Sequence, residues 1–182
     1  MTRTNASMTA RERARAELTR EIKEEAKRQL AASGANGLSL RAVARSLGMV
    51  SSALYRYFPS RDDLLTALII DAYNSMGTAV EEAISSSADA GDSARGRWAA
   101  ACRTVRNWAT ARPHEYALIY GSPVPGYRAP AATIGPAARV PVAFIGILRG
   151  AAAGPGLETP AGGVPFGGPV AGQAAKIAAD LA

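Results

Sequence analysis

Between Leu38 and Leu65 the chain reads LSLRAVARSLGMVSSALYRYFPSRDDLL, and no other stretch restricts the fold as much. Ser39 is a favourable N-cap for a helix in which Leu40, Val43, Ala44 and Leu47 recur at helical spacing. Gly48 then supplies the permissive backbone that a tight turn needs, and a second helix opens at Ser51 or Ser52 and stops at Pro59. Helix, glycine turn and helix in under thirty residues is the layout of a helix-turn-helix.

At about 100° per residue, Leu54 and Phe58 fall one turn apart on one face of the second helix, with Ser51 near them. That face should pack on the first helix and on the segment upstream. Ser52, Ala53 and Arg56 point the opposite way, and Tyr55 and Tyr57 fall on the shoulders, where a ring can pack on protein while its hydroxyl reaches a phosphate. Small residues at the tip admit the helix to a major groove. Arg56 is the long outward donor suited to guanine O6 and N7, and Arg41 on the preceding helix is a second candidate. Ser60 opens a further helix with Asp63 three residues on, and Arg61 at its positive end suits a phosphate clamp. Two short helices joined at a glycine also occur as plain core packing, and Leu54 and Phe58 are core residues in either case. The outward, basic Y-x-Y-F-P-S-R run is what packing alone does not require.

Leu38 to Leu65 resembles the N-terminal DNA-binding domain of TetR/AcrR-family transcriptional regulators. That family shows a helix ending in L-G, a recognition helix ending in L-Y-x-[HY]-F, then a Ser-Lys clamp and an acidic helix start. Here these positions are Leu47, Gly48, Leu54, Tyr55, Tyr57, Phe58, Ser60, Arg61, Asp62, Asp63 and Leu64. Val50 departs from the pattern, because the family carries a small polar residue there to cap the recognition helix. Either Ser51 takes over or the helix starts uncapped, at a cost of about 0.5–2 kcal/mol. Arginine replaces the clamp lysine and keeps its charge.

The charge distribution agrees with a polyanion partner. Residues 1–70 carry 12 Lys and Arg against 7 Asp and Glu, and the remainder 9 against 8. Cys102 is the single cysteine, which excludes an intrachain disulfide and fits a reducing compartment; beside Trp98 and Val105 it reads as a small core residue. The longest apolar run, Val140 to Leu148, is too short to span a bilayer and is bracketed by Arg139 and Arg149. No apolar signal segment follows the charged start, and a cytoplasmic location is expected.

The fold class expected is all-α: an N-terminal three-helix helix-turn-helix head joined to a C-terminal helical ligand-binding and dimerisation body. Residues 1–8 read as a flexible arm, 9–60 as the DNA-binding domain and 61–182 as the body, incomplete at its C-terminus. Thr9 and Glu12 form a capping box that opens a long helix through Ala14, Leu18, Ile22, Ala26 and Leu30, closed near Gly34, whose outer Arg, Lys and Glu residues read as a salt-bridged solvent face. A helix from Ser60 carries Leu65 to Ile84 into a polar loop at Ser85 to Asp92. The body continues with Ser93 to Arg112 and with Pro113 to Tyr120, Pro113 standing in a first turn.

Trp108, His114 and Gly121 in W-A-T-A-R-P-H-E-Y-A-L-I-Y-G-S-P resemble the ligand-sensing domain of the WHG subgroup of the same family. From Gly121 the composition shifts, with 9 of 11 prolines and 11 of 18 glycines falling between Gly121 and Val170. One helix is expected from Ala137 to Ala153, with Pro141 near its start. A last one is expected from Val170, carrying Ala171, Ala174, Ile177, Ala178 and Leu181. Relatives end in two long helices that pair with a second subunit and set the spacing of the heads on a palindromic operator, so a chain ending at Ala182 is expected to be a fragment or to dimerise over less surface.

The resemblance implies an apolar effector pocket in the body, for which Tyr73, Met76, Trp98, Tyr116, Tyr120 and Phe144 are the candidates by type and position. Each serves equally as ordinary core. His114, the sole histidine, makes no metal site, and neither metal nor cofactor is expected. Enzymatic motifs are lacking: no P-loop, no G-x-G-x-x-G after a strand, no H-E-x-x-H and no C-x-x-C. Asp62 and Asp63 are accounted for by the helix dipole. The function expected is a DNA-binding regulator, a repressor released by a small apolar effector, acting as a homodimer on double-stranded operator DNA and not at a membrane. The alternatives are a degenerate relative that no longer binds DNA specifically and, with little support, a helical enzyme.

Overall fold

The computed structural model describes residues 9–154 and 167–180, and every regular element among them is helical. The first helix, α1 (Ala10–Ser33), starts where the sequence places it. The Thr9 hydroxyl accepts from the Glu12 amide at 3.2 Å while Glu12 Oε2 accepts from the Thr9 amide at 2.7 Å, completing the capping box. Ile22, Ala26 and Leu30 are buried and Leu18 packs at their edge, but Ala14, expected in the same stripe, is exposed because the first turns of α1 run past the helices that cover the rest.

The second helix, α2 (Leu40–Ser46), is capped by Ser39, whose hydroxyl accepts from the Ala42 amide at 3.4 Å. Gly48 adopts φ +65°, a conformation open to glycine but strained for other residues, and turns the chain into α3 (Ser51–Leu54). That helix is shorter than expected. After Leu54 the regular winding gives way to mixed turns, with Arg56 N–H to Ala53 O at 3.3 Å and Tyr57 N–H to Leu54 O at 2.8 Å as i→i+3 bonds and Phe58 N–H to Leu54 O at 3.1 Å as a last i→i+4 bond. Pro59 is the physical reason: it lacks an amide and disfavours the helical conformation at Phe58 before it. Leu54 and Phe58 join Ile22, Leu30, Val43 and Leu65 in one apolar cluster, as their spacing requires.

The fourth helix, α4 (Arg61–Asp89), starts with the Ser60 hydroxyl accepting from the Asp63 amide at 3.1 Å and is about 44 Å long. The polar loop expected at Ser85 to Asp92 is helical as far as Asp89. Packing of α4 on α5 (Ala94–Ala111) outweighs the indifferent helix propensity of the serines, and buried Ser87 satisfies its hydroxyl on Asp92 Oδ2. Cys102, expected in the core, is exposed, because α5 turns Ala101 and Trp108 inward. Next comes α6 (Pro113–Tyr120), with Pro113 in its first turn as expected.

The seventh helix, α7 (Ile134–Ala152), opens three residues earlier than expected, behind a 3-10 turn at Ala131–Thr133, and holds Pro141 in its interior. Pro136 does not delay it, since an amide in the first turn has no helical partner to lose. The earlier start makes Ala131–Ala152 a 22-residue segment holding an 18-residue window of mean hydropathy 1.6, long and apolar enough by length and composition to cross a membrane, which the Val140 to Leu148 run was not expected to be. Here Val140, Phe144 and Ile147 pack in a second apolar cluster with Ala72, Met76, Val80 and Trp108.

Arg139 fixes α7 to α4. Its Nε and Nη2 donate to Glu81 at 2.9 and 2.6 Å, Nη1 to the Asn74 carbonyl and side chain at 3.0 and 3.1 Å, and Nη2 also to Thr78 at 2.9 Å, which occupies all five guanidinium donors. The Arg139 hydrogen bonds hold the Glu81 carboxyl below its ordinary pKa. Gly77 makes the seat possible, since a Cβ there would lie 3.0 Å from both Arg139 Cβ and Nε.

Residues up to Leu148 form one compact unit and those from Arg149 onward a second, which contains α8 (Gly168–Asp180). The arm expected at residues 1–8, Leu181, and the side chains of Ala174, Ile177 and Ala178 lie outside the described residues.

Candidate nucleic-acid interface

The tip of the head separates packing residues from outward ones as the face analysis of the second helix requires. Leu54 is fully buried, while Ser52, Tyr55 and Arg56 are exposed. Arg41, exposed on α2, and Arg56 have no ion pair or hydrogen-bond acceptor among the described residues, so both guanidinium groups keep their donors for a partner. Ser51 and Ala53 are half-buried. For Ala53, expected to point fully outward, the cause is the short, tightly wound α3, which draws its side chain toward the protein.

Val50 occupies the N-cap of α3, 70% exposed and offering no side-chain hydrogen bond, and Ser51 does not replace the missing cap. Tyr57 is half-buried on the apolar cluster, and the Arg15 guanidinium of α1 lies 5.2 Å from its ring centroid. Arg61, expected as a phosphate clamp, folds back instead: its Nη2 donates to the Ala35 carbonyl at 2.8 Å, tying the start of α4 to the turn after α1.

A polar network that sequence reading treated as solvent face orients α2. Glu25 is buried, and burial alone would raise its pKa, but hydrogen bonds from Arg28, Ser46 and Gln29 outweigh that and hold it below the ordinary carboxylate value. Gln29 donates to Glu25 at 3.3 Å and accepts from the Ser39 amide at 3.4 Å, so α1 grips both ends of α2. The signal was present in the spacing, for Glu25 and Gln29 share the inner stripe with Ile22 and Ala26. Lys23 to Asp71 at 2.5 Å and Lys27 to Glu115 at 3.5 Å join α1 to α4 and α6.

The six pocket candidates divide into three places. Tyr73, Tyr116 and Tyr120 cluster, with ring centroids 6.0 Å apart for Tyr73 and Tyr120 and 5.2 Å for Tyr116 and Tyr120, and the Tyr73 hydroxyl donates to the Ile119 carbonyl at 3.1 Å. Burial, with the neighbouring Tyr73 and Tyr116, raises the Tyr120 pKa. Trp98 and Phe144 make an edge-on pair at 4.7 Å, with Trp98 partly exposed, and Met76 is wholly buried. A cleft of about 250 Å³ lies elsewhere, between Leu30 and Ala35 on one side and His114, Leu118 and Val124 on the other, and none of the six lines it.

Comparison with known proteins places both regions. Residues 22–68 match bacterial regulatory proteins of the tetR family, and residues 98–177 match the tetracyclin repressor-like C-terminal domain. The chain belongs to the TetR family. It is 49% identical over 147 residues to the HTH-type transcriptional regulators Rv1816 of Mycobacterium tuberculosis (strain ATCC 25618 / H37Rv) and Mb1846 of Mycobacterium bovis. These matches cover 78% of this chain and 60% of each relative, so the chain spans about three fifths of their length. Among solved structures, the regulatory protein SCO4313 is similar at 40% identity and TM-score 0.68, over 79% of this chain and 66% of that one. A Rhodococcus sp. RHA1 protein of unknown function is similar at 28% and 0.64, over 85% and 76%.

Proposed function

We propose that this chain is a sequence-specific DNA-binding transcriptional regulator, acting as a repressor in the cytoplasm rather than as an enzyme. The observation that carries this reading is the tip of the head, where Arg41, Ser52, Tyr55 and Arg56 face outward on a segment whose Leu54 and Phe58 are locked inside. Unpaired arginines on an exposed helical tip suit base edges in a major groove, with Tyr55 and Tyr57 beside them for phosphates. Arg61 contributes from behind, by seating the start of α4 against Ala35. The regulatory names of the two HTH-type relatives point the same way.

In this reading residues 9–60 bind DNA and 61–182 sense a small apolar effector and dimerise, so that two heads meet a palindromic operator. The effector is placed near the Tyr73, Tyr116 and Tyr120 cluster or the Trp98 and Phe144 pair, both of which touch elements packed on α4. It acts by preferring one spacing of the heads over another.

The test is a salt-titrated binding assay on the DNA flanking this gene, comparing wild type with Arg41→Ala, Arg56→Ala and Tyr55→Phe. Arg56→Ala is expected to cost about 1–3 kcal/mol on the preferred site and to relax preference at one base pair, and Tyr55→Phe to weaken all sequences alike. A second reading, favoured by the uncapped Val50, is a relative whose recognition segment no longer discriminates. Wild-type protein that binds preferred and random DNA equally at every salt concentration would establish that reading instead.

A further inference from the structure

The cations of α1 fall into two groups. From Glu17 onward each one is paired: Arg20 with Glu17, Lys23 with Asp71, Lys27 with Glu24 and Glu115, and Arg28 with Glu25. Before Glu17, Arg11, Arg13 and Arg15 are exposed and have no ion pair or hydrogen-bonded side chain among the described residues, and the nearby carboxylate of Glu12 is committed to Thr9. Cations in the first turns of a helix oppose its dipole, so helix stability does not account for them.

Their direction is informative. Arg11 and Arg15 are one turn apart and continue toward the N-terminus the stripe that carries Leu18, Ile22 and Ala26 into the head. Where that stripe leaves the apolar cluster, Arg15 meets the recognition segment, its guanidinium stacked 5.2 Å from the centre of the Tyr57 ring. Tyr57 is itself held on the cluster, next to exposed Arg56 and buried Phe58. The attraction of a cation to an aromatic face holds the guanidinium beside the ring, and no acceptor among the described residues takes its N–H donors, an arrangement suited to two oxygens of one phosphate.

We infer that Arg11 and Arg15 extend the interface onto α1 and grip the sugar-phosphate backbone beside the groove entered by α3, with the Tyr57 ring positioning Arg15. This rests on the DNA-binding reading above. Arg13, about 160° around the helix from Arg15, lies off this face and serves as the internal control.

The experiment uses the whole chain, a duplex enriched by the wild-type protein from a random pool and a scrambled duplex, with affinity measured over a series of KCl concentrations. Arg15→Ala and Arg11→Ala should each reduce the slope of log K against log[KCl] by about 1 and weaken both duplexes by the same factor, with the melting temperature unchanged. Arg13→Ala should leave the slope near that of wild type. A wild-type slope in Arg15→Ala, or an equal loss in Arg13→Ala, overturns the inference while the DNA-binding reading stands. Failure of the wild type to enrich any duplex overturns both.

Discussion

Head and body are built from the same kind of helix, yet they close differently. The cluster at the head is closed: Ile22, Val43 and Leu54, with Leu64 and Leu65 from α4, are fully buried, and among the described residues of the head the two large exposed apolar side chains, Val50 and Tyr55, both stand at the recognition tip. In the body Trp98, Tyr116, Tyr120, Ile134, Val142 and Leu148 remain exposed around a smaller cluster. The head is closed by the start of α4 and by Leu118, Val124 and Tyr127 packed on its cluster, and its exposure is gathered at one place, whereas the body leaves apolar surface spread over α5, α6 and α7.

The sharpest way to break this comparison is a pair of truncations followed by chemical denaturation. Leu54→Ala should cost about 2–5 kcal/mol, because it empties a fully packed position, and Ile134→Ala, on an open helix face, about 0.5 kcal/mol or less. Comparable losses at the two sites would contradict the picture of a closed head and an open body.

The seat of Arg139 on Gly77 gives the next largest effect. Gly77→Ala should destabilise by about 1–3 kcal/mol through overpacking, since the nearest atoms include Arg139 Cβ as well as its mobile end. In an Arg139→Ala background the Nε and Cδ contacts are gone while the Cβ at 3.0 Å remains, so the same change should cost less than in the wild type without becoming a gain. A double-mutant cycle with no coupling would show that Gly77 has no such role.

A smaller gain is expected at the tip. Val50→Thr should add about 1 kcal/mol in thermal unfolding by giving α3 the cap it lacks. No gain would mean that the tip is already satisfied by its tight turns.

The smallest effect concerns acid. Glu25 and Glu81 have depressed pKa values in the folded chain, so their contribution is present above the carboxylate pKa of the unfolded chain, about 4.3, and is lost as pH falls through the folded values. Glu25→Gln should flatten the acid limb of stability against pH and leave the slope above pH 6 unchanged. An unaltered acid limb would remove Glu25 from the account of how α2 is held.

Much of the head was legible because its signals are local. The Thr9 and Glu12 box, the Ser39 and Ser60 caps, the turn at Gly48 and the inward pair Leu54 and Phe58 are each decided by residues within four positions of one another. Where longer range mattered, local reading failed. Serines 85–87 looked like a loop but are helical because α5 packs alongside, and Cys102 looked like core but faces out because Ala101 and Trp108 take the inner side. The pocket residues were legible only by type, since aromatic side chains serve core and ligand equally well and only packing shows which ones meet.

The sequence by itself determined the helical class, the order of the helices and which side of the recognition segment turns inward, because spacing and capping act within a turn or two of the chain. Only the tertiary structure decided what the charged residues do. Arg61, Arg139 and Arg15 are alike in sequence, yet one is bound to a carbonyl, one is saturated across a glycine and one is stacked on a tyrosine with its donors free. A guanidinium reaches far enough that its partner is set by whichever helix packs nearest, and that is a property of the fold rather than of the neighbouring residues.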